Sequence, residues 1–355
     1  MRALFHHPHA EWDGRARAFA VAARGLRRRG WETRFACCPG TEPERRAEAL
    51  GIPVHPLAPD AGIIGGSGAL ARALREHLVD VLYVHGERAH LAAAGGAWRA
   101  ERGVIVRRFG AGEDASLGRA ARATLGQAPM AALCTWAEQA AALPADAGLA
   151  AVVTADLGVE ADAEGARPRR EGPLRRVVCV QTRAVRARTA SVLRTVAMLA
   201  PRHPELRVAL VGPGADDEEL RLHAAAVGVN RLVSHHAAAS PADLLAEADL
   251  AWVIADGDDG AFGVLEALGA GVPVLVERGS DAARYVPDAI GGAHLPPEDV
   301  PAAAATLAQL LAHDADRQSM GAAGHARVAR SHGEAAMLDG FARVAIEAHA
   351  RARRR

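Results

Sequence analysis

Two acidic residues eight positions apart, Asp258 and Glu266, stand in the stretch richest in reactive side chains, ADGDDGAFGVLEALGAGVPVLV at residues 255–276. The spacing predicts a polar, glycine-bearing loop, a short helix centred on Glu266, and a turn, Gly271-Val272-Pro273, leading into a buried strand. Carboxylates and backbone amides at such a strand–loop–helix junction are what an open α/β sheet uses to hold a ligand. His6, His7 and His9 form a second dense group. No acidic or sulfur partner lies at ligand spacing from them, so acceptor or phosphate contact from the first βα loop is expected, and no metal. His85, followed by Gly86, ends a strand. Cys37, Cys38, Cys134 and Cys179 are scattered without a second paired motif, which points to a reduced, cytosolic protein.

Basic and acidic residues balance at 42 each among 355 residues, so no net field draws the chain to nucleic acid. Every basic residue is Arg. A bound anion must then be held by guanidinium groups or backbone amides, and Schiff-base chemistry on lysine is excluded. The first residues reach the histidines without an apolar segment, which reads as the absence of a signal peptide. No run approaches the about 18 apolar residues needed to cross a bilayer. The Arg-rich end at residues 351–355 reads as a frayed basic tail, with contact to acidic lipid as the alternative.

The elements that must position these residues alternate. Strands are expected over 3–5, 33–37, around Val54, and over 79–84, 104–106, 131–133 and 151–153, with helices between them, including one over 70–78. After a polar, proline-bearing run the rhythm restarts with strands over 176–180, 206–211, 231–234 and 250–254. Helices are expected over 190–200, from Asp216, and over 241–248, 300–312, 316–329 and 333–351. Such alternation implies parallel sheets covered on both faces. The expected domains are 1–165 and 166–332, followed by a helical segment 333–355.

In RRVVCV, LRVALVGPGADDEEL, LLAEADLAWV and above all GVLEALGAGVPV, residues 174–335 resemble the retaining, nucleotide-sugar-dependent glycosyltransferases of family 4. The N-terminal half is similar more loosely, through a strand–loop–helix start at Gly14, RRRGWETRF, EALGIPVHPL and VLYVHG. The resemblance implies the GT-B fold: α/β, two doubly wound Rossmann-like domains facing each other across a cleft, with the last helix crossing back onto the first domain. It implies that Glu266 holds the ribose hydroxyls of the donor, that Asp258 takes the place of the first signature glutamate, and that Phe262-Gly263, two positions late, lies by the donor sugar. Arg183 and Arg188, after a one-residue shift, match the pair that neutralises the diphosphate; Arg186 between them and the whole run also read as a solvated face. Gly14 and Gly212 fall to substrate binding. Where relatives place a histidine at the end of the fifth strand this chain has Val106-Arg107-Arg108-Phe109, so His85, at the end of the preceding strand, is assigned to the cleft and the reacting sugar; the alternative is an arginine of this run binding an acidic acceptor or the leaving phosphate.

The implied activity is transfer of a sugar, with retention, from a nucleoside-diphosphate donor to a hydroxyl acceptor, a glycan, lipid-linked or small-molecule one. No cofactor and no dedicated metal are implied. The expected location is cytoplasmic, at most peripheral to the inner face of a membrane. The alternative is a degenerate GT-B protein that binds a nucleotide, sugar or protein without transfer. An epimerase of the same fold has only the fold in its favour.

Overall fold

The computed structural model describes residues 1–58, 62–145, 147–160, 175–237, 239, 241–287 and 290–353. They form two compact units, Met1–Leu157 with Glu334–Arg355, and Gly158–Gly333. The expected boundary between residues 165 and 166 lies outside the described residues, as do the last two arginines of the basic tail.

The first domain runs β1 (Arg2–His6), α1 (Gly14–Arg28), β2 (Glu32–Cys37), α2 (Glu42–Ala49), β3 (Val54–Pro56), α3 (Gly62–Glu76) and β4 (Val81–His85). It continues with α4 (Gly86–Ala100), β5 (Val104–Phe109), α5 (Arg119–Ala123), β6 (Met130–Cys134), α6 (Ala137–Ala142) and β7 (Val152–Thr154). Its seven strands are all parallel, in the order β3-β2-β1-β4-β5-β6-β7. Residues 81–84 of β4 and Met130–Cys134 of β6 are continuous buried apolar runs because both of their faces are covered, while β5 carries Arg107 and Arg108. One face carries an aromatic cluster. Phe5 stacks on Tyr83 at 4.5 Å, and Phe19 of α1 meets Phe5 edge-on at 5.4 Å.

The second domain runs β8 (Arg175–Val180), α7 (Arg186–Leu199), β9 (Leu206–Val211), α8 (Glu218–Ala226), β10 (Val233–His236) and α9 (Pro241–Leu245). It continues with β11 (Leu250–Val253), α10 (Gly257–Gly269), β12 (Val274–Glu277), β13 (Gly292–Leu295), α11 (Val300–Ala312) and α12 (Asp314–Ser331). Its strands, again parallel, lie in the order β10-β9-β8-β11-β12-β13. The winding reverses between β8 and β11, so the loops after these two neighbours diverge. In open α/β sheets that switch point is where a ligand crevice forms.

Helix α13 (Glu334–Ala352) belongs to the first domain, packed on α1, β5, β6 and β7. Phe341 lies 5.5 Å from Tyr83 between ring centres, and the Tyr83 hydroxyl donates to the Phe341 carbonyl at 2.7 Å. Gly340 permits this approach, since a Cβ there would stand 2.0 Å from that of Ala155. Two expectations need correction, and one strand was not expected. Helix α3 begins at Gly62, not near Leu70, through a glycine-rich start. Strand β13 carries no clear sequence signal. Helix α10 begins nine residues before Glu266 rather than being centred on it. The four cysteines are free and buried, and burial pushes the Cys37 and Cys134 thiols up to about 12.

Aromatic packing outweighs the hydroxyl in holding α13. Tyr83→Phe is expected to cost about 1 kcal/mol, the net worth of one hydrogen bond, and Phe341→Ala about 3–5 kcal/mol through the cavity it leaves. Urea unfolding of both variants gives the ratio.

Candidate functional site

The loop after β8 approaches the loop after β9 closely. Gly212, at φ +111°, backs onto the Gln181 carbonyl, where a Cβ would come within 2.2 Å of the oxygen. The buried Gln181 amide donates to the carbonyls of Gly212 (3.1 Å) and Pro213 (3.0 Å), fixing both loops. The close approach of the two loops is thus made from the β9 side.

Arg183 follows on a 3₁₀ turn, its side chain 60 % exposed and 3.7 Å from Asp217. Gly214 lies beside it, since a Cβ there would be 3.2 Å from the Cβ of Arg183. Arg186 is not a loosely solvated neighbour; it bridges Asp217 at 3.0 Å and Glu219 at 2.5 Å. Arg188, in the first turn of α7, is held by carboxylates from across the switch point, Glu277 at the end of β12 (3.2 Å) and Asp256. Two of its five N–H donors are therefore engaged. A diphosphate binding there would have to displace these carboxylates. Asp256 and Glu277 were not read as partners of Arg188, which meets them across 68 and 89 residues. Asp217 and Asp256 each left a signal, as an Asp directly preceding a helix.

Asp256 is the N-cap residue of α10, and Gly257, at φ +58°, turns the chain into the helix. The run DGDDG is thus the start of the helix and not a loop. Asp258 is buried, while Asp259 and Glu266 are half-buried. At 100° per residue, Asp259 lies within about 20° of the face of Glu266, and Asp258 is turned by about 80° from it. Eight residues of helix separate Asp258 and Glu266 by about 12 Å along the axis. Phe262 is buried in the middle of the helix. Gly263 does not open the helix, so its amide is not among the N-terminal donors; its lack of a side chain serves packing, with Val180 3.0 Å and Val253 3.3 Å from where a Cβ would stand. The first amide of α10, that of Gly257, points to Asp281 at 3.4 Å. His235 bonds the Ala215 carbonyl at 2.6 Å, and His236 bonds Ser234.

At the carboxyl edge of the first sheet, Gly14 begins α1 behind Asp13, whose carboxylate accepts from the Ala16 amide. His85 is buried, stacked on Phe19 at 3.8 Å, with Nε2–H donating to the Arg15 carbonyl at 3.1 Å and Nδ1 without a hydrogen-bond partner. Burial, then the Arg108 guanidinium, hold its pKa well below the ordinary value. Burial also pushes His6 and His7 down to about 4. These rings are neutral. Arg107 is 6 % exposed, lies over the Phe109 ring at 4.7 Å, and keeps Nε and one terminal nitrogen unpaired. Arg108 bonds Thr135. A cavity of about 890 Å³ opens at the opposite, amino edge of this sheet, beside Arg75, Trp98 and Arg102, and none of the expected site residues lines it.

Within the second domain the structure therefore gathers Arg183, Arg188, Gly212 and the start of α10 at one sheet edge, with Glu266 two turns further along. His85 and Gly14 lie at the corresponding edge of the first. Among the described residues no helix is long and apolar enough to cross a membrane.

Residues 169–327 match the sequence model of the family described as Glycosyl transferases group 1. No curated protein matches the chain. Among solved structures, a glycosyltransferase of Rickettsia africae is similar at 12% identity over 98% of each chain, with a TM-score of 0.77. HepE of Anabaena in complex with UDP-glucose is similar at 15% identity, TM-score 0.77, over 97% of this chain and 98% of that one. A putative UDP-N-acetylglucosamine 2-epimerase of Listeria monocytogenes is similar at 14% identity, TM-score 0.67, over 98% of this chain and 96% of that one. These likenesses establish the fold, two parallel-sheet α/β domains of the GT-B type.

Neutral, buried histidines set a pH dependence. In the unfolded chain they titrate near 6.5, whereas His6, His7 and, by burial, His90 stay neutral down to about 4 in the fold. Stability is intact above pH 6.5 and falls as pH drops toward 4, by about 1.4 kcal/mol per pH unit for each such histidine. Urea unfolding at pH 7.5, 6 and 5 should show that fall, with a shallower slope in His90→Gln.

Proposed function

We propose that the chain is a glycosyltransferase that moves a sugar, with retention, from a nucleoside-diphosphate donor to a hydroxyl acceptor. The carrying observation is the convergence of Arg183, Arg188, Gly212 and the acidic start of α10 at the switch point of a sheet whose sequence matches the group 1 family. The donor is a UDP-sugar, by analogy with HepE, a neighbour solved with UDP-glucose. Glu266 accepts hydrogen bonds from the ribose hydroxyls. Arg188 leaves Asp256 and Glu277 for the diphosphate, and Arg183, exposed and only weakly paired, adds a second guanidinium.

In this scheme the bond from the anomeric carbon to the phosphate oxygen breaks as the acceptor oxygen attacks the same face. The departing diphosphate takes the acceptor's proton, and the two guanidinium groups stabilise its charge. No dedicated metal is needed for that step. Asp258 or its neighbour Asp259 lies toward the sugar. In the first domain His85 is a neutral imidazole with a bare Nδ1, suited to accept a hydroxyl proton bond, and Arg107, buried with unpaired donors, suits an acidic group on the acceptor.

A second function, nucleotide or sugar binding without transfer, is favoured by one observation: Arg186 and Arg188 are already closed on four carboxylates. Assays of the purified chain over a panel of nucleotide sugars and acceptors separate the two. Turnover on a UDP-sugar supports transfer; thermal stabilisation by UDP with no turnover on any donor supports binding alone.

Glu266→Ala should weaken UDP binding by at least about tenfold, the loss of one or two hydrogen bonds to a charged acceptor, with an unchanged circular dichroism spectrum. Unaltered affinity overturns the ribose assignment. Arg188→Met should lower kcat/KM about 10²–10³-fold, the scale for one donor to a developing charge.

A further inference from the structure

Far along the first sheet from its carboxyl-edge histidines, three donors converge on the edge strand. His55 lies in β3, Glu76 ends α3, and His77 follows it. His77 Nε2 is 2.9 Å from His55 Nδ1 and 3.5 Å from the Glu76 carboxylate, and the three donor atoms lie within 4.8 Å of one another. The rings stand nearly perpendicular, at 81°. We propose that His55, Glu76 and His77 bind a divalent metal ion of borderline softness, Zn²⁺ by its donor set, and that the ion ties the edge strand to the end of α3.

The geometry carries this assignment. Zinc–nitrogen bonds of about 2.0–2.1 Å in a tetrahedron set neighbouring donors about 3.3 Å apart, and His77 Nε2 stands 2.9 and 3.5 Å from the other two donors, which lie within 4.8 Å of each other. Two imidazoles select a d-block ion over Mg²⁺ or Ca²⁺, which prefer all-oxygen sites. The carboxylate supplies one negative charge, and the fourth position is left to water. The N–H that now joins the two rings would move to the other nitrogen of its own imidazole on coordination, so no net proton is lost. His77 is 14 % exposed and Glu76 63 %, which leaves a solvent path for the ion. Burial lowers the pKa of both histidines, so the ligating neutral form prevails at neutral pH. Arg34 on β2 faces both rings and opposes a cation; Glu76 offsets it.

The need for such a tie is visible in the sheet. Strand β3 has three residues and pairs only with β2, through Phe35↔Val54, Ala36↔His55 and Cys37↔Pro56. A metal bridging β3 and the end of α3 closes the segment between them and favours the folded state by mass action.

The test uses the tag-free full chain, stripped with a chelator, then titrated with Zn²⁺ by calorimetry and with Co²⁺ by visible absorption. One equivalent of Zn²⁺ is expected, with tetrahedral Co²⁺ bands and a rise of several degrees in melting temperature that chelator reverses. His55→Ala and His77→Ala should each lose at least about tenfold in affinity, as removal of one of three ligands demands. Glu76→Gln changes an exposed side chain, leaves the fold intact, and should weaken Zn²⁺ while leaving the metal-free melting temperature unchanged. Absence of heat and of Co²⁺ bands overturns the site. So does metal binding that persists in His55→Ala/His77→Ala, which would place the ion on other histidines.

Discussion

Arg188 is the pivot of the second domain. Its guanidinium joins the first turn of α7, the N-cap of α10 and the end of β12, three segments that the reversal of winding between β8 and β11 would otherwise let splay apart. The cation is about a quarter exposed and Glu277 less so, and in that partly dry setting each partner depends on the others. Loss of either carboxylate leaves a poorly hydrated charge seeking an anion. Under the proposed function that anion is the donor's diphosphate, which would take the place of the two carboxylates on Arg188.

The glycines around this pivot have different duties although they look alike in the sequence. Gly212 adopts a left-handed conformation and touches a carbonyl that any side chain would strike. Gly263 is helical and lets α10 settle onto Val180 and Val253. The first is a matter of backbone, the second of packing distance. Both bring α10 and the β9 loop to the same sheet edge.

The parallel sheets were legible because strands buried on both faces are unbroken apolar runs, as at 250–254. The start of α10 was not. Asp, Gly and Asp favour turns locally, yet Gly260, close against the Ala255 carbonyl, and Gly263, packed on Val180 and Val253 of the sheet, carry the helix through them. Helix α3 likewise runs through GIIGGSG against its own propensity. Its small residues face Gly95 and Gly96 of α4, where a Cβ would meet Ser67 at 2.2 Å and Leu70 at 3.0 Å. Ion pairs spanning 68 and 89 residues leave no periodic trace. Neither does the meeting of His55 with His77, which exists only because β3 and the end of α3 are neighbours in space.

Helix α13 comes back to the first domain only after the whole of Gly158–Gly333 has intervened. The rings of Phe5, Phe19 and Tyr83, which Phe341 helps to cover, are thus uncovered on that side while the second domain is being made. At ribosomal rates of about 5–20 residues per second the interval is roughly 10 to 35 s. The core of the first domain is therefore completed by the last element to be made, and its aromatic face keeps one side open until Phe341 arrives.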